Sequence, residues 1–141
     1  CIPLAFQSRK LFAFEWESPE TGRKKQLTWT RLPQGFKNSP TIFGNQLAKE
    51  LEEWKTAEVR ESPFSYTILQ YVDDVLIAAE EKEICLKLTI ALLNMLGQAG
   101  YRVSKEKAQL LQGSVIYLGC EISQGQRRLG TNRVEAICAI P

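Results

Sequence analysis

Two adjacent carboxylates, Asp73 and Asp74, stand between short β-rich runs, YTILQYV from Tyr66 to Val72 and VLIAA from Val75 to Ala79. A tight turn that delivers carboxylate oxygens to one point suits a hard divalent cation. Mg²⁺ takes a few such oxygens together with substrate phosphates and does not require a complete protein cage. Placing two carboxylates between buried strands is costly unless a cation or donors compensate. The plainer reading of any Asp-Asp pair is a polar hairpin turn. Three further stretches carry candidate groups. LPQGFKNSP, Leu32 to Pro40, sets Gln34, Gly35 and Phe36 ahead of a helix start; SKEKAQL holds Lys105 and Lys107; YLG, Tyr117 to Gly119, puts a glycine where the pattern is strand-like, the mark of a turn or a bulge. On residue type alone the lysines are surface lysines. There is no histidine, and the four cysteines, Cys1, Cys85, Cys120 and Cys138, form no CxxC pair, which excludes a common zinc set. They read as reduced core thiols of a cytosolic type of compartment.

The elements that must position these groups follow from periodicity. Phe12, Phe14 and Trp16 alternate with Ala13 and Glu15, predicting a strand over Leu11–Glu17 with one buried face, and QLTWTRL predicts its partner over Gln26–Leu32. Ser39 is a helix cap and Pro40 suits the first helical position. Phe43, Leu47, Leu51 and Trp54 then give one apolar stripe on a helix running to about Ala57. After a loop around Pro63 comes the hairpin with the aspartates at its turn. Ile84, Leu88, Leu92 and Met95 mark a second helix from Glu81 to Ala99, and Gly100 stands where a left-handed C-terminal cap belongs. A strand over Val115–Ile122 ends in a turn at Gln124-Gly125. Antiparallel hairpins with helices on one face define an α+β fold, read as one domain over residues 1–141.

Charge narrows the class only locally. The 18 basic and 16 acidic residues leave a net charge of +2, too little to mark a nucleic-acid binder. The distribution is more specific: Arg23, Lys24, Lys25, Arg31 and Lys37 lie between Gly22 and Lys37 with no acid, whereas Glu50 to Glu61 is dominated by glutamates. One end can face phosphates while the other is a solvated face. No stretch of eighteen apolar residues and no basic-then-apolar leader is present, so neither a membrane span nor a signal peptide is expected.

YVDD at Tyr71–Asp74, preceded by LTWTRLPQGFKNSP and followed by LLGQAGYRVSKEKAQL and YLG, resembles the polymerase motifs of retroviral reverse transcriptases in their order, and is closest to the gammaretroviral type, including endogenous copies. The resemblance covers essentially the whole chain. It implies the palm of a right-hand polymerase, an antiparallel sheet with helices behind it. It further implies that Asp73 and Asp74 hold Mg²⁺, or Mn²⁺ in its place, for two-metal nucleotidyl transfer, one metal activating the primer 3′-hydroxyl and the other steadying the departing pyrophosphate. Gln34 would touch the sugar of the incoming deoxynucleoside triphosphate, with Gly35 and Phe36 shaping that pocket. Lys107 would lie near the triphosphate, although Glu106 between two lysines leaves Lys105 as an alternative. Tyr71, Leu118 and Gly119 would contact primer and template.

The family draws a further aspartate from a strand expected to end just before Cys1, and the aromatic that excludes ribonucleotides would also fall just upstream of Cys1. The remaining fingers, the thumb and RNase H of a Pol polyprotein would likewise be partners outside the chain, so the fragment is expected to be inactive alone, and virion-associated or cytosolic as part of its parent. Two rival readings stand beside this one. A non-enzymatic endogenous relic would keep the fold, and an upstream frame with or without the aspartate strand discriminates it. A single-stranded RNA-binding module would stack bases on paired sheet aromatics within a Lys/Arg-Gly-Phe-type signature, which this sequence lacks.

Overall fold

In a computed structural model, residues 2–59 and 65–141 are described; Cys1 and the expected loop around Pro63 lie outside them. The elements run β1 (Phe14–Glu17), β2 (Lys24–Leu27), α1 (Ser39–Trp54), β3 (Tyr66–Tyr71), β4 (Asp74–Ala79), α2 (Lys82–Gln98), β5 (Ser114–Tyr117), β6 (Cys120–Ser123), β7 (Gln126–Leu129) and α3 (Thr131–Cys138). A 3₁₀ helix, Phe6–Phe12, precedes β1, and a π-helical turn, Lys55–Val59, extends α1.

The core is built from three elements. In α1, Leu47, Leu51 and Trp54 recur on one face and are buried; in α2, Ile84, Leu88, Leu92 and Leu96 do the same. Between them the β3–β4 hairpin presents alternate residues, Tyr66 and Ile68 from one strand and Val75, Ile77 and Ala79 from the other. Two helices therefore cover one face of an antiparallel hairpin, as alternation in strands and a 3.6-residue period in helices require. Met95, expected in the α2 stripe, is half-buried beside it, and Leu96 takes the core position. Gly100 ends α2 with φ +87°, while Tyr101 N–H reaches Leu96 O at 2.9 Å and Gly100 N–H reaches Gly97 O at 3.2 Å, the paired bonds of a Schellman cap. Tyr101 then stacks edge-on against Phe43, with centroids 5.6 Å apart, tying the end of α2 to the start of α1.

Several boundaries differ from the sequence reading. Leu11 and Phe12 belong to the 3₁₀ helix, and β1 with β2 forms a shorter ladder pairing Phe14 with Leu27 and Glu17 with Lys24. The expected buried face of this hairpin is exposed: Phe14 leans on the Trp29 ring, centroids 6.1 Å apart, yet stays 41% open, and Trp16 stays 43% open. Thr28 to Leu32 leaves the ladder: Thr28 Oγ1 donates to Arg9 O, and Leu4 N–H to Thr30 O and Leu32 N–H to Ile2 O join this segment to the N-terminal stretch. Ser39 is not a cap. Asn38 precedes the helix, and Ser39 Oγ donates back to Pro33 O at 2.6 Å. The expected strand Val115–Ile122 folds over at Leu118-Gly119 into β5 and β6, and β7 and α3 follow it. In place of one sheet, the described strands make three antiparallel ladders, β1–β2, β3–β4 and β5–β6–β7, since each strand finds its partner across a local turn. Of the cysteines, Cys120 is buried and Cys85 half-buried, but Cys138 is exposed and is not a core thiol.

Candidate active site

The β3–β4 register pairs Tyr71 with Asp74, so the two-residue turn is Val72-Asp73, one residue earlier than the aspartate pair suggested. Asp73 is the second turn residue and Asp74 the first of β4. Val72 carries φ +54°. That is a left-handed conformation in which a β-branched side chain is strained by about 1–3 kcal/mol, and the first position of such a turn is where glycine is favoured. Val72 nonetheless holds it, and the surroundings explain how. Gln70 Nε2 donates to Val72 O at 2.9 Å and to Gly44 O at 3.0 Å, spending both amide hydrogens on the turn and on α1. A Cβ on Gly44 would sit 3.4 Å from Val72 Cα, so the helix backbone lies within van der Waals reach of the turn. Gln70 and Gly44 were not among the residues read as functional, because their part depends on a contact spanning 26 residues.

Asp73 and Asp74 are both exposed at the hairpin tip. Water therefore solvates them without the expected desolvation cost, and β3 is half-buried in alternation instead of being enclosed. What the geometry retains is two carboxylates presented outward from a braced turn. An all-oxygen pair suits Mg²⁺ in donor chemistry. No group of three or more acidic, cysteine or histidine side chains gathers among the described residues.

The remaining predicted residues fall into two groups. Tyr117, at the end of β5, has its hydroxyl pushed above its ordinary pKa first by burial and second by the negative charge of Asp74. The Tyr117–Gly119 turn therefore lies within electrostatic reach of the aspartates. Leu118 and Gly119, at φ +52° and +75°, form the two central residues of a tight hairpin turn. Gln34, Gly35 and Phe36 make an exposed loop in which Gly35 has φ +85°. Ser39 closes this loop through Pro33 O and through its N–H to Phe36 O at 3.0 Å, and the Phe36 ring meets Phe12 edge-on at 5.0 Å. Tyr71 is exposed beside Asp74. Lys105 and Lys107 are exposed in a single helical turn with no hydrogen bond or ion pair from their ammonium groups to described residues, so the structure brings neither to the aspartates.

A family model described as reverse transcriptase (RNA-dependent DNA polymerase) matches residues 1–122. The chain belongs to the reverse transcriptase family. Among curated relatives, this reverse transcriptase chain is 52% identical over all 141 residues to the Pol polyprotein of Feline endogenous virus ECE1 and covers 13% of it. It is 51% identical over its whole length to the Gag-Pol polyprotein of Baboon endogenous virus (strain M7), of which it covers 8%. The chain thus spans about an eighth or less of these relatives. Among solved structures, the foamy viral protease-reverse transcriptase dRH in complex with ds DNA superposes with a TM-score of 0.77 at 34% identity, covering 99% of this chain and 22% of that one. The foamy viral protease-reverse transcriptase in complex with RNA/DNA hybrid gives 0.75 at the same identity, covering 99% of this chain and 17% of that one. The likeness to retroviral Pol is borne out, and the α+β fold is that of a palm-like reverse transcriptase fragment. Family membership decides against the RNA-binding-module alternative. No helix among the described residues is long and apolar enough to cross a membrane.

Proposed function

We propose that this chain, residues 1–141, is the palm part of an RNA-directed DNA polymerase that adds deoxynucleotides to a primer on an RNA or DNA template. The observation that carries the reading is the braced tip of the β3–β4 hairpin, which presents Asp73 and Asp74 outward beside the Tyr117–Gly119 turn. Asp73 and Asp74 would hold Mg²⁺, or Mn²⁺, as part of a two-metal site completed from elsewhere in the parent. When bound, the metal would supply charge neutralisation for the primer 3′-oxygen and the pyrophosphate leaving group.

The chain's own residues would meet some of the further requirements of such a site. Gln70 fixes the carbonyl of Val72, and so the direction in which both carboxylates leave the turn. The exposed Gln34 amide can hydrogen-bond a sugar hydroxyl, while Phe36, held against Phe12, provides an apolar wall for a base or sugar. Leu118 and Gly119 would lie against the primer strand, with Tyr71 next to them on the aspartate side. Lys107 or Lys105 would reach the triphosphate only with the substrate in place. With two carboxylates in its site, the isolated chain would be inactive, and the remaining Pol segments are its partners.

The many apolar side chains left on the surface, among them Leu69, Ile116 and Leu129, support extensive contact with those segments. The testing experiment is primer extension by the full-length parent polypeptide on RNA and DNA templates in Mg²⁺. Template-dependent extension that disappears on chelation is expected. Primer-template binding without any extension in Mg²⁺ or Mn²⁺ would favour a non-enzymatic relic.

A further inference from the structure

The glycine that closes the β5–β6 hairpin is also a seat for a side chain from α3. Tyr117 pairs with Cys120, and Cys120 pairs with Leu129, so the register sets Gly119 beside Gly130, just ahead of α3. A Cβ on Gly130 would lie 3.6 Å from Gly119 O. Within the first turn of the helix Arg133 N–H bonds Gly130 O at 3.0 Å, and the Arg133 side chain folds back over the hairpin turn. A Cβ on Gly119 would fall 2.5 Å from Arg133 Cζ and collide with Nη2. The guanidinium therefore occupies the space that any side chain at 119 would need, in addition to the φ of +75° that favours glycine there.

This guanidinium is exposed and makes no hydrogen bond or ion pair among the described residues. In sequence, Arg127, Arg128 and Arg133 lie between Glu121 and Glu135, and the ladder sets Glu121 opposite Arg128. Polar groups on the same sheet pair among themselves: Ser114 Oγ donates to Glu121 Oε1 at 2.9 Å, and Arg128 Nη2 donates to Gln126 Oε1 at 3.0 Å. Five planar N–H donors without an acceptor, in an arginine-rich stretch, match the geometry of a phosphate diester, which guanidinium can bind through two parallel hydrogen bonds.

We propose that Arg133 holds a backbone phosphate of the primer strand beside the Leu118-Gly119 turn. This rests on the reading of that turn as a primer contact. Gly119 then has two tasks: it completes the turn, and it lets the cation lie on the turn backbone. A carboxylate from another segment of the parent would satisfy the same donors, and the test separates the two.

The full-length parent is titrated with labelled primer-template by fluorescence anisotropy over a range of salt, as wild type, Arg133→Gln and Arg133→Lys. The titration is repeated with primers carrying a single uncharged methylphosphonate at each position near the 3′ end. Losing one phosphate contact should lower the slope of log affinity against log salt by about 0.9 in Arg133→Gln, roughly a 3.5-fold smaller change between 50 and 200 mM salt. Arg133→Lys should keep the slope. One methylphosphonate position should weaken wild type and leave Arg133→Gln unchanged. If wild type binds and extends the primer but no position couples to Arg133 and the slope is unaltered, the phosphate contact is refuted and a protein carboxylate is its partner. If wild type binds no primer-template, the reading of the turn fails first, and this proposal with it.

Discussion

Replacing Gln70 by methionine keeps the side-chain length and deletes both N–H donors that reach Val72 O and Gly44 O. Two half-buried hydrogen bonds at about 1 kcal/mol each amount to about 2 kcal/mol. That matches the strain of about 1–3 kcal/mol stored in a left-handed valine, so the loss suffices to let the turn relax. Gln70→Met should therefore lower stability by about 2 kcal/mol in urea unfolding of the chain, with an unchanged m-value. Gln70→Glu should cost more at pH 7, because a carboxylate would face two carbonyl oxygens. It should recover toward the methionine variant in acid, where a protonated carboxyl can donate once. In the parent enzyme the same variants should depress kcat more than primer-template affinity, since the turn sets the direction of the aspartates. If Gln70→Met unfolds within about 0.5 kcal/mol of wild type, the amide does not brace the turn and the strain at Val72 is relieved by something else.

Three further outcomes follow from the same geometry. Val72→Gly removes the strain but adds unfolded-state entropy of about 0.4–1 kcal/mol, so denaturant midpoints should be equal to or slightly above wild type, and a clear loss would contradict the strained turn. Tyr117, raised by burial and then by Asp74, should titrate above the ordinary tyrosine value; the native state then holds its proton longer than the unfolded chain, so stability should be intact below about pH 10 and fall above it. In ultraviolet titration Asp74→Asn should move the Tyr117 midpoint down without abolishing its elevation, because burial is the larger cause. Calorimetric titration of the isolated chain with Mg²⁺ should show no tight site, since two carboxylates supply too few ligands, and submicromolar binding lost in Asp73→Asn would overturn that ligand count.

The parts of the fold that could be read ahead were those whose burial imposes a period. The apolar stripes of α1 and α2 and the hairpin around the aspartates are legible because one shared core imposes a period on each, and Gly100 because a helix end needs a local cap. β7, with four exposed residues, and α3, with none buried, carry no alternation or stripe that a pattern can detect. The Phe12–Phe14–Trp16 alternation misleads because it spans two elements: Phe12 ends the 3₁₀ helix and packs on Phe36, while Phe14 and Trp16 sit on a strand that stays exposed. The turn falls one residue earlier than the aspartate pair suggests because valine gives no sign of a positive φ; the Gln70 amide on Val72 O is the contact that supports it. The motif residues of the site were legible by resemblance, whereas Gln70 and Arg133 come to light through contacts between segments distant in the chain. Both aspartates are exposed, so no desolvation cost calls for a cation, and the proposed metal site rests on their donor chemistry and on the family likeness.

The most direct test of the central claim is Asp73→Asn in the full-length parent, measured by primer extension on an RNA template in Mg²⁺ alongside primer-template affinity. The substitution keeps volume and removes the charge that would hold the metal against the reacting oxygens. Extension should fall by at least about two to three orders of magnitude, while affinity, set by phosphate contacts spread over many basic groups, should change little. Near-normal extension by Asp73→Asn would contradict the assignment of the β3–β4 tip as the metal-binding centre.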